Sequence, residues 1–183
     1  MTSEQPTLVL MAGPPGAGKT TLALAVGRAL GWPVIDKDTL KSALLTNGVA
    51  ETLAGPAAYE LLHDLGCDLL VQQRLSVILD SPAAYPIVVE KATTLAREAG
   101  AVLRVVLCLA DRTERERRLS ERLIRPSQRN ADVGLIGDDA RQWGRHLPAD
   151  SLVVRTTQPV DELLPETLVY VLAPVDGGRS VPP

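Results

Sequence analysis

The sequence has few residues of the kinds that build disulfides or metal centres, with two cysteines and two histidines in 183 residues. Cys67 and Cys108 stand in apolar surroundings and form neither a CxxC pair nor a metal-ligand spacing. His63 and His146 have no second histidine or cysteine at ligand spacing. We therefore expect the cysteines to be small core residues and the histidines to pack or lie at the surface.

Long apolar runs and a strong charge of one sign are also missing. No apolar stretch approaches the ~20 residues that a membrane-spanning helix requires, and the polar start MTSEQPT lacks the basic and apolar regions of a secretory signal. The net charge of −3 does not favour a general nucleic-acid-binding surface. The expectation is a soluble cytoplasmic protein of one domain, without a membrane or nucleic-acid partner.

What the sequence does contain is a phosphate-binding loop, G-x-x-x-x-G-K-T, from Gly13 to Thr20. Its glycines permit close turns, and successive amide groups can point inward as an anion site at the start of a helix. Lys19 is expected to bridge the β- and γ-phosphates of a nucleotide, and the Thr20 hydroxyl to ligate Mg²⁺. The predicted nucleotide-binding set is Gly13, Pro14, Pro15, Gly16, Ala17, Gly18, Lys19, Thr20 and Thr21.

The segments on either side of this loop have the required character. A continuous apolar run, Leu8 to Met11, predicts a strand that is buried on both faces. After the loop, apolar residues recur at helical spacing and Gly31 stands where a helix cap is expected. A strand, a phosphate loop and a helix in this order predict that the protein binds ATP with Mg²⁺.

Apolar runs and helical patterns alternate along the chain. Strands are predicted at residues 7–12, 33–36, 76–80, 102–109 and 151–156. Predicted helices include one around Ala58 to Leu69 that contains Gly66, one from Pro86 to Gly100, and one at about 160–172. The alternation favours an α/β fold with a parallel sheet covered by helices. We expect one domain over residues 1–173 and a disordered tail, rich in proline and glycine, over 174–183.

Two carboxylates follow the second predicted strand, in the segment PVIDKDTLKSAL. Ligands of open α/β sheets bind at the carboxyl ends of strands, so we expect Asp36 and Asp38 beside the phosphates. Asp38 is our candidate for the base that orients an attacking hydroxyl and accepts its proton, the alternative being a helix cap. Asp36 is a candidate substrate contact, with a turn contact or a magnesium-water contact equally open. Lys41 would hold an anionic substrate or be solvated.

The third predicted strand ends in Asp80, in the pattern of a Walker B element. We expect Asp80 to hold Mg²⁺ directly or through water, in company with Thr20; the alternative is a capping role for Asp80 or Ser81. Ser81, and not a glutamate, follows Asp80. The carboxylate that polarises water in hydrolytic ATPase motors is therefore missing from this position.

An arginine-rich segment, DRTERERRLSERLIRPSQRNAD, follows the fourth predicted strand. Arg115, Arg118 and Arg122 share one helical stripe, and Arg125 continues into a stretch with the character of a mobile lid. We predict a short arginine-rich lid over about residues 112–135 that neutralises charge on a transferring phosphoryl group. The alternative is a solvated helix of arginine–glutamate pairs.

Together, GPPGAGKTT, VIDKDTLK, VILDSP and the RLSER segment resemble the small P-loop kinases grouped with AAA-type ATP-binding proteins. Relatives include polynucleotide 5′-kinase domains, zeta-toxin-like kinases and chloramphenicol phosphotransferase. The resemblance implies a P-loop NTPase fold with a five-stranded parallel sheet in the order 2-3-1-4-5. It also implies a general base at Asp38 in a D-x-x-[RK] motif, with Lys41 in the basic position, and an R-x-x-x-R lid pattern at Arg118 and Arg122.

The function that these residues favour is transfer of the γ-phosphate of ATP to a hydroxyl of a small molecule, with Asp38, Lys19, Arg118 and Arg122 as the catalytic set. An acceptor pocket is expected along residues 40–75, which are poor in aromatic side chains and so disfavour base stacking. The alternatives are an AAA-type ATPase, a non-catalytic ATP-binding module and a GTPase, although an NKxD guanine-reading motif is missing. The acceptor, the use of GTP and the oligomeric state stay open.

Overall fold

A computed structural model of the protein describes residues 5–121, 125–128 and 143–174. One parallel sheet contains five strands in the order β2-β3-β1-β4-β5. The strands are β1 (Thr7–Ala12), β2 (Val34–Asp36), β3 (Val77–Asp80), β4 (Val102–Leu109) and β5 (Leu152–Arg155). The predicted α/β class and sheet order are confirmed.

Helices cover both faces of this sheet. They are α1 (Lys19–Leu30), α2 (Lys37–Thr46), α3 (Glu51–Cys67), α4 (Pro86–Ala99), α5 (Arg112–Glu121) and α6 (Val160–Leu172), with a π-helical turn at Asp68–Gln72 and a 3-10 turn at Pro126–Gln128. As predicted, α1 ends at Gly31 and α4 at Gly100, where φ angles of 69° and 60° favour glycine.

Successive residues of β1 belong to two different cores. Leu8 and Leu10 pack in the core under α3 and α4, and Val9 and Met11 pack in the core under α1 and α6. All six residues of the strand are buried. With both faces of the sheet covered, the loops at the carboxyl ends of its strands are left to bind a ligand.

Gly66 lies inside α3 where this helix crosses the sheet. A Cβ at this position would lie 3.3 Å from Cδ2 of Leu79, so the leucine side chain would have to shift by a few tenths of an ångström to accept a larger residue. The contact explains why α3 tolerates a residue that is unfavourable in a helix interior.

Both cysteines lie in the apolar interior or against it, as expected: Cys108 is buried and Cys67 packs at the edge of the core, and both are free thiols. Within the described ranges, no helix is long and apolar enough to cross a membrane. Residues 175–183 of the predicted tail lie outside the described residues. So do residues 122–124, which include Arg122, and residues 129–135 of the predicted lid.

Candidate active site

The loop between β1 and α1 has the backbone shape that its glycines predict. Gly13, Gly16 and Gly18 have φ angles of 127°, 78° and 77°, in a region that other residues rarely adopt. At Gly13 a Cβ would lie only 2.1 Å from the carbonyl oxygen of Cys108 on β4. The loop therefore requires glycine here for its conformation and for its close approach to the sheet.

Residues distant in sequence hold the loop in place. The Gly13 amide donates to the Pro82 carbonyl oxygen at 3.0 Å, and the Thr156 hydroxyl donates to the Ala17 carbonyl oxygen at 2.8 Å. A Cβ at Gly16 would lie 2.8 Å from the backbone oxygen of Arg115, so α5 packs directly on the loop. Of the predicted loop residues, only Thr21 is exposed.

Lys19, the first residue of α1, folds back over the loop. Its Nζ donates to the carbonyl oxygens of Gly13 and Pro14, each at 2.9 Å. Desolvation of the ammonium lowers the pKa of Lys19, and the negative charges of Asp80 and Asp38 act in the opposite direction. The positive charge thus lies on the loop and is acted on by the negative charges of Asp80 and Asp38.

Asp80 is placed at the end of β3 with an oxygen available for a cation. Its side chain is 3% exposed, and Oδ2 has no hydrogen-bond partner among the described residues. Burial raises the pKa of Asp80, although the charge of Lys19 and the neighbouring Thr20 hydroxyl counteract this. A carboxylate oxygen and a hydroxyl beside a phosphate loop are ligands that Mg²⁺ prefers, so the residues fit the ion.

Asp36, and not Asp38, caps α2. The helix begins at Lys37, and the Asp36 carboxylate accepts hydrogen bonds from the Asp38 amide at 2.8 Å and from the Thr39 hydroxyl at 2.9 Å. Our alternative interpretation of Asp38 as the helix cap is therefore wrong. A cap must precede the first helical residue, and the extended backbone ends at Asp36, the last residue of β2.

The side chain of Asp38 does not cap the helix, and it contacts two polar side chains. Lys37 Nζ lies 2.7 Å from Oδ1, and Gln128 Nε2 donates to Oδ2 at 3.2 Å. Burial would raise the pKa of Asp38, but the charge and hydrogen bond of Lys37, the Gln128 amide and the charge of Lys19 outweigh it and leave the pKa below its usual value. Asp38 is therefore ionised near neutral pH and able to accept a proton.

Lys41, the other predicted substrate contact, lies one turn further along α2. Its Nζ is 3.6 Å from Oε1 of Glu51 at the start of α3. The pair joins α2 to α3, and in this structure the lysine charge is partly compensated.

Arg118 of α5 lies against the phosphate loop. It donates to the Thr156 carbonyl oxygen at 2.5 Å, to the Thr156 hydroxyl at 3.2 Å and to the Gly16 carbonyl oxygen at 3.4 Å. Its Nε donates to Glu114 at 2.7 Å. Arg118 is thus within reach of the loop that the sequence predicts to hold phosphates, whereas Arg117 on the outer face pairs with glutamates.

Sequence reasoning missed the partners of the segment that follows α5. Arg125 forms an ion pair with Asp36 and donates to the Thr39 hydroxyl at 3.0 Å. Gln128 contacts Asp38, and the Ser127 amide donates to the Ser42 hydroxyl at 3.3 Å. Residues 125–128 therefore rest on α2 and contact both aspartates. The arginine content indicated a lid but carried no signal for contacts that join residues about 85 positions apart in the chain.

A cavity of about 410 Å³ opens between α3 and α4, and its lining includes Leu79, the residue before Asp80. Part of its wall comes from the predicted pocket range, residues 40–75, and the rest from β1, β3, α4 and Tyr85. Tyr59 and Tyr85, two of the three tyrosines, line it. Tyr59 is the one aromatic residue of the range 40–75, and Tyr85 comes from the segment before α4, which that range did not include.

A protein-family model described as an AAA domain matches residues 8–135. The chain belongs to this family. The predicted resemblance to AAA-type ATP-binding proteins is thereby confirmed, and the matched range contains the loop, both aspartate segments and α5. Comparison with the curated proteins gave no significant match.

Solved structures share the fold of this AAA-domain protein. One is a protein from Chloroflexus aurantiacus classed as a kinase, with a TM-score of 0.73 and 20% identity, covering 91% of this chain and 99% of that one. A second is the APS kinase of Mycobacterium tuberculosis in complex with AMPPNP and APS, with a TM-score of 0.66, 21% identity and coverage of 91% and 97%. A third is a gluconokinase from Sinorhizobium meliloti, with a TM-score of 0.57, 19% identity and coverage of 91% and 91%. At these identities the likeness establishes the fold.

Proposed function

We propose that this protein is an ATP-dependent kinase that transfers the γ-phosphoryl group to a hydroxyl of a small molecule. The observation that carries the proposal is the position of Asp38, whose charge acts on Lys19 together with that of Asp80. A phosphate loop by itself suits any nucleotide-binding protein. An ionised carboxylate on the acceptor side of the loop suits transfer to a hydroxyl, because the attacking oxygen must lose a proton. The kinases among the solved structures with this fold support the same conclusion.

The donor side would hold ATP through the loop amides and Lys19. The chain offers Thr20 and Asp80 as ligands of Mg²⁺, and the ion would neutralise charge on the β- and γ-phosphates. The unpartnered Oδ2 of Asp80 is the observation that favours this assignment. We propose the full predicted loop, Gly13 to Thr21, as the nucleotide-binding set.

The transfer itself would use Asp38 and the arginines. The acceptor oxygen bonds to the γ-phosphorus, its proton passes to the Asp38 carboxylate, and the bond between the γ-phosphorus and the bridging oxygen breaks to release ADP. Arg118 would stabilise the negative charge that develops on the phosphoryl oxygens. Arg122, Asp36 and Lys41 remain proposed contacts, the first to the phosphoryl group and the others to the acceptor.

The experiment that tests this proposal compares Asp38→Asn with the unchanged protein. Acceptors are first sought by screening hydroxyl compounds for ADP formation above background, with Lys19→Ala as the blank. In Asp38→Asn we expect transfer to fall by about 10²-fold or more, because the amide cannot take the proton. ATP affinity measured by calorimetry should change little. The matched control is Asp161→Asn, an exposed aspartate at the start of α6; full transfer by Asp38→Asn would remove Asp38 from this role.

An ATPase motor of the AAA type has less support from these residues. Ser81 occupies the position after Asp80, is 1% exposed, and accepts a hydrogen bond from the Ala83 amide. This hydroxyl cannot replace a carboxylate that polarises water. Size-exclusion chromatography with and without ATP separates the two functions, since a nucleotide-dependent ring would favour the motor.

A further inference from the structure

The cavity between α3 and α4 adjoins the proposed transfer site through its floor. Leu79, which lines the floor, directly precedes Asp80, and Leu10 lies three residues before Gly13. A molecule in the cavity would therefore lie against the two strands that carry the phosphate loop and Asp80. A volume of about 410 Å³ is typical of a site for a small organic ligand.

The wall of the cavity also connects to Asp38. Lys37 Nζ lies 5.4 Å from the centre of the Tyr59 ring, a cation–π distance, and 2.7 Å from Asp38 Oδ1. Burial and the nearby Tyr85 and Asp38 raise the pKa of the Tyr59 phenol, so it stays neutral and protonated. The Tyr59 ring thus lines the cavity and also contacts the lysine that pairs with the proposed base.

The charges that line the cavity compensate one another. Lys91 Nζ lies 2.6 Å from both carboxylate oxygens of Glu60, and His63 is 3.7 Å from the Asp64 carboxylate. Among the described residues, Lys91 is the one lysine or arginine in the lining. An acceptor that carries a carboxylate, sulfate or phosphate would therefore find no uncompensated cation here.

The rest of the lining is apolar and extends to an exposed rim. Leu62, Val88 and Ala92 form the interior, and Ile87 and Tyr85 at the mouth are 54% and 61% exposed. Covering these side chains would remove apolar surface from water. The lining therefore favours a ligand with an apolar body of its own.

Building on the proposed kinase activity, we propose that the acceptor is a neutral alcohol with an apolar, ring-sized body that binds in this cavity and presents its hydroxyl past Tyr59 to Asp38. The cavity would bind the apolar body of the alcohol, and its hydroxyl would lie between Asp38 and the phosphate loop. Polyols, sugar acids and nucleosides would leave many polar groups against apolar walls without partners.

The binding test uses Gly55, which lines the cavity and has no atom within 4 Å of an added Cβ. Side chains at this position would project into open space, and both alanine and leucine favour a helix over glycine. Calorimetry without nucleotide compares cinnamyl alcohol, phenethyl alcohol and cyclohexylmethanol with glycerol, glucose, gluconate and adenosine. We expect the apolar alcohols to bind more tightly, with affinity reduced slightly by Gly55→Ala and about tenfold or more by Gly55→Leu.

A second pair of variants checks the rim without disturbing the core. Ile87→Asp should weaken binding of the same alcohols, because it adds a charge to the mouth. Val169→Asp on α6 is the matched control, since Val169 is 74% exposed and lies outside the cavity. ATP affinity serves as the measure of folding in all four variants.

Phosphoryl transfer then separates this inference from the proposed function. Transfer to the apolar alcohols, with KM raised by Gly55→Leu, supports both. Cavity-dependent binding of these alcohols without ADP formation would overturn the proposal that the acceptor binds in the cavity, and the kinase would then be judged by the screen of hydroxyl compounds alone. Transfer to polyols, sugar acids or nucleosides with KM unaffected by Gly55→Leu would overturn the cavity proposal and leave the kinase standing. Failure of every apolar alcohol to bind would also overturn it.

Discussion

The two halves of the proposed site are held by the fold in different ways. On the ATP side, Ala17 and Asp80 are 0% and 3% exposed, and the loop is hydrogen-bonded to the segment after β3 and to Thr156, which directly follows β5. On the acceptor side, none of the residues of α2 is buried, and the Asp38 side chain is 32% exposed. The ATP side is part of the core, whereas the acceptor side is attached to the core by a few polar contacts.

This difference indicates which half can change without loss of the fold. A substitution in the phosphate loop must disturb core packing as well as ATP binding, because the same atoms serve both. Substitutions on α2, on residues 125–128 or at the cavity rim remove contacts that are partly accessible to water, and such contacts add little to stability. Substitutions can therefore change which acceptor binds while ATP binding stays the same.

The largest effect is expected from Gly13→Ala, which changes the phosphate loop on the buried ATP side of the site. The added Cβ would collide with the Cys108 carbonyl oxygen, 2.1 Å away, and the φ angle of 127° would be strained. We expect the unfolding free energy in urea to fall by about 3 kcal/mol or more. ATP binding measured by calorimetry should weaken by about 100-fold or more, since the loop and the core move together.

The control for Gly13→Ala is Gly48→Ala after α2. Gly48 also has a positive φ, 83°, but has no atom within 4 Å of an added Cβ. The free energy of unfolding of Gly48→Ala should fall by only about 1 kcal/mol, because of backbone strain, and its ATP affinity should not change. Equal losses in the two variants would show that strain, and not the approach to β4, explains the glycine at residue 13.

The second effect in size is that of Arg118→Ala, at the junction between the two halves. Arg118 contacts Gly16 and Thr156, so its loss should reduce kcat by about 10²- to 10³-fold through weaker stabilisation of the transferring phosphoryl group. ATP affinity should change by only a few-fold. Arg117→Ala is the matched control, because this neighbour is 53% exposed and pairs with Glu114 and Glu121. A parallel loss of ATP affinity and kcat in Arg118→Ala would instead assign it to loop support.

The same contrast explains how far the sequence predicts the structure. The ATP side is contiguous from β1 to α1, so the glycines, Lys19 and the apolar periodicity of the flanking segments predict most of its geometry. Every strand begins and ends within one residue of its predicted bounds. The sheet order came from the resemblance to a family. The acceptor side depends on contacts distant in sequence, such as Gln128 with Asp38, which are 90 residues apart. No local pattern reports such contacts. The cap of α2 is a local feature, but the pattern does not fix the first helical residue, so a cap at Asp38 and a turn contact at Asp36 both stay open from sequence alone.

The smallest and most specific effect is expected from Gln128→Ala, which removes one polar contact of the acceptor side. The Gln128 amide and, more strongly, Lys37 hold the pKa of Asp38 below its usual value. Because the base must be ionised, kcat/KM rises with pH through this pKa. Loss of either interaction raises the pKa and moves the acidic limb of the kcat/KM profile to higher pH. The shift should be larger for Lys37→Met than for Gln128→Ala. Stability should change by about 1 kcal/mol or less.

The chain supplies a matched control in a second glutamine–aspartate pair. Gln73 Nε2 donates to Asp68 Oδ2 at 2.7 Å, at an exposed position after α3. Gln73→Ala should leave the pH profile of kcat/KM unchanged. If Gln128→Ala lowers kcat/KM equally at every pH, residues 125–128 act by closing over the acceptor and not through the ionisation of Asp38. If the limb moves while the unfolding free energy stays constant, the acceptor side can be adjusted independently of the core, as its exposure leads us to expect.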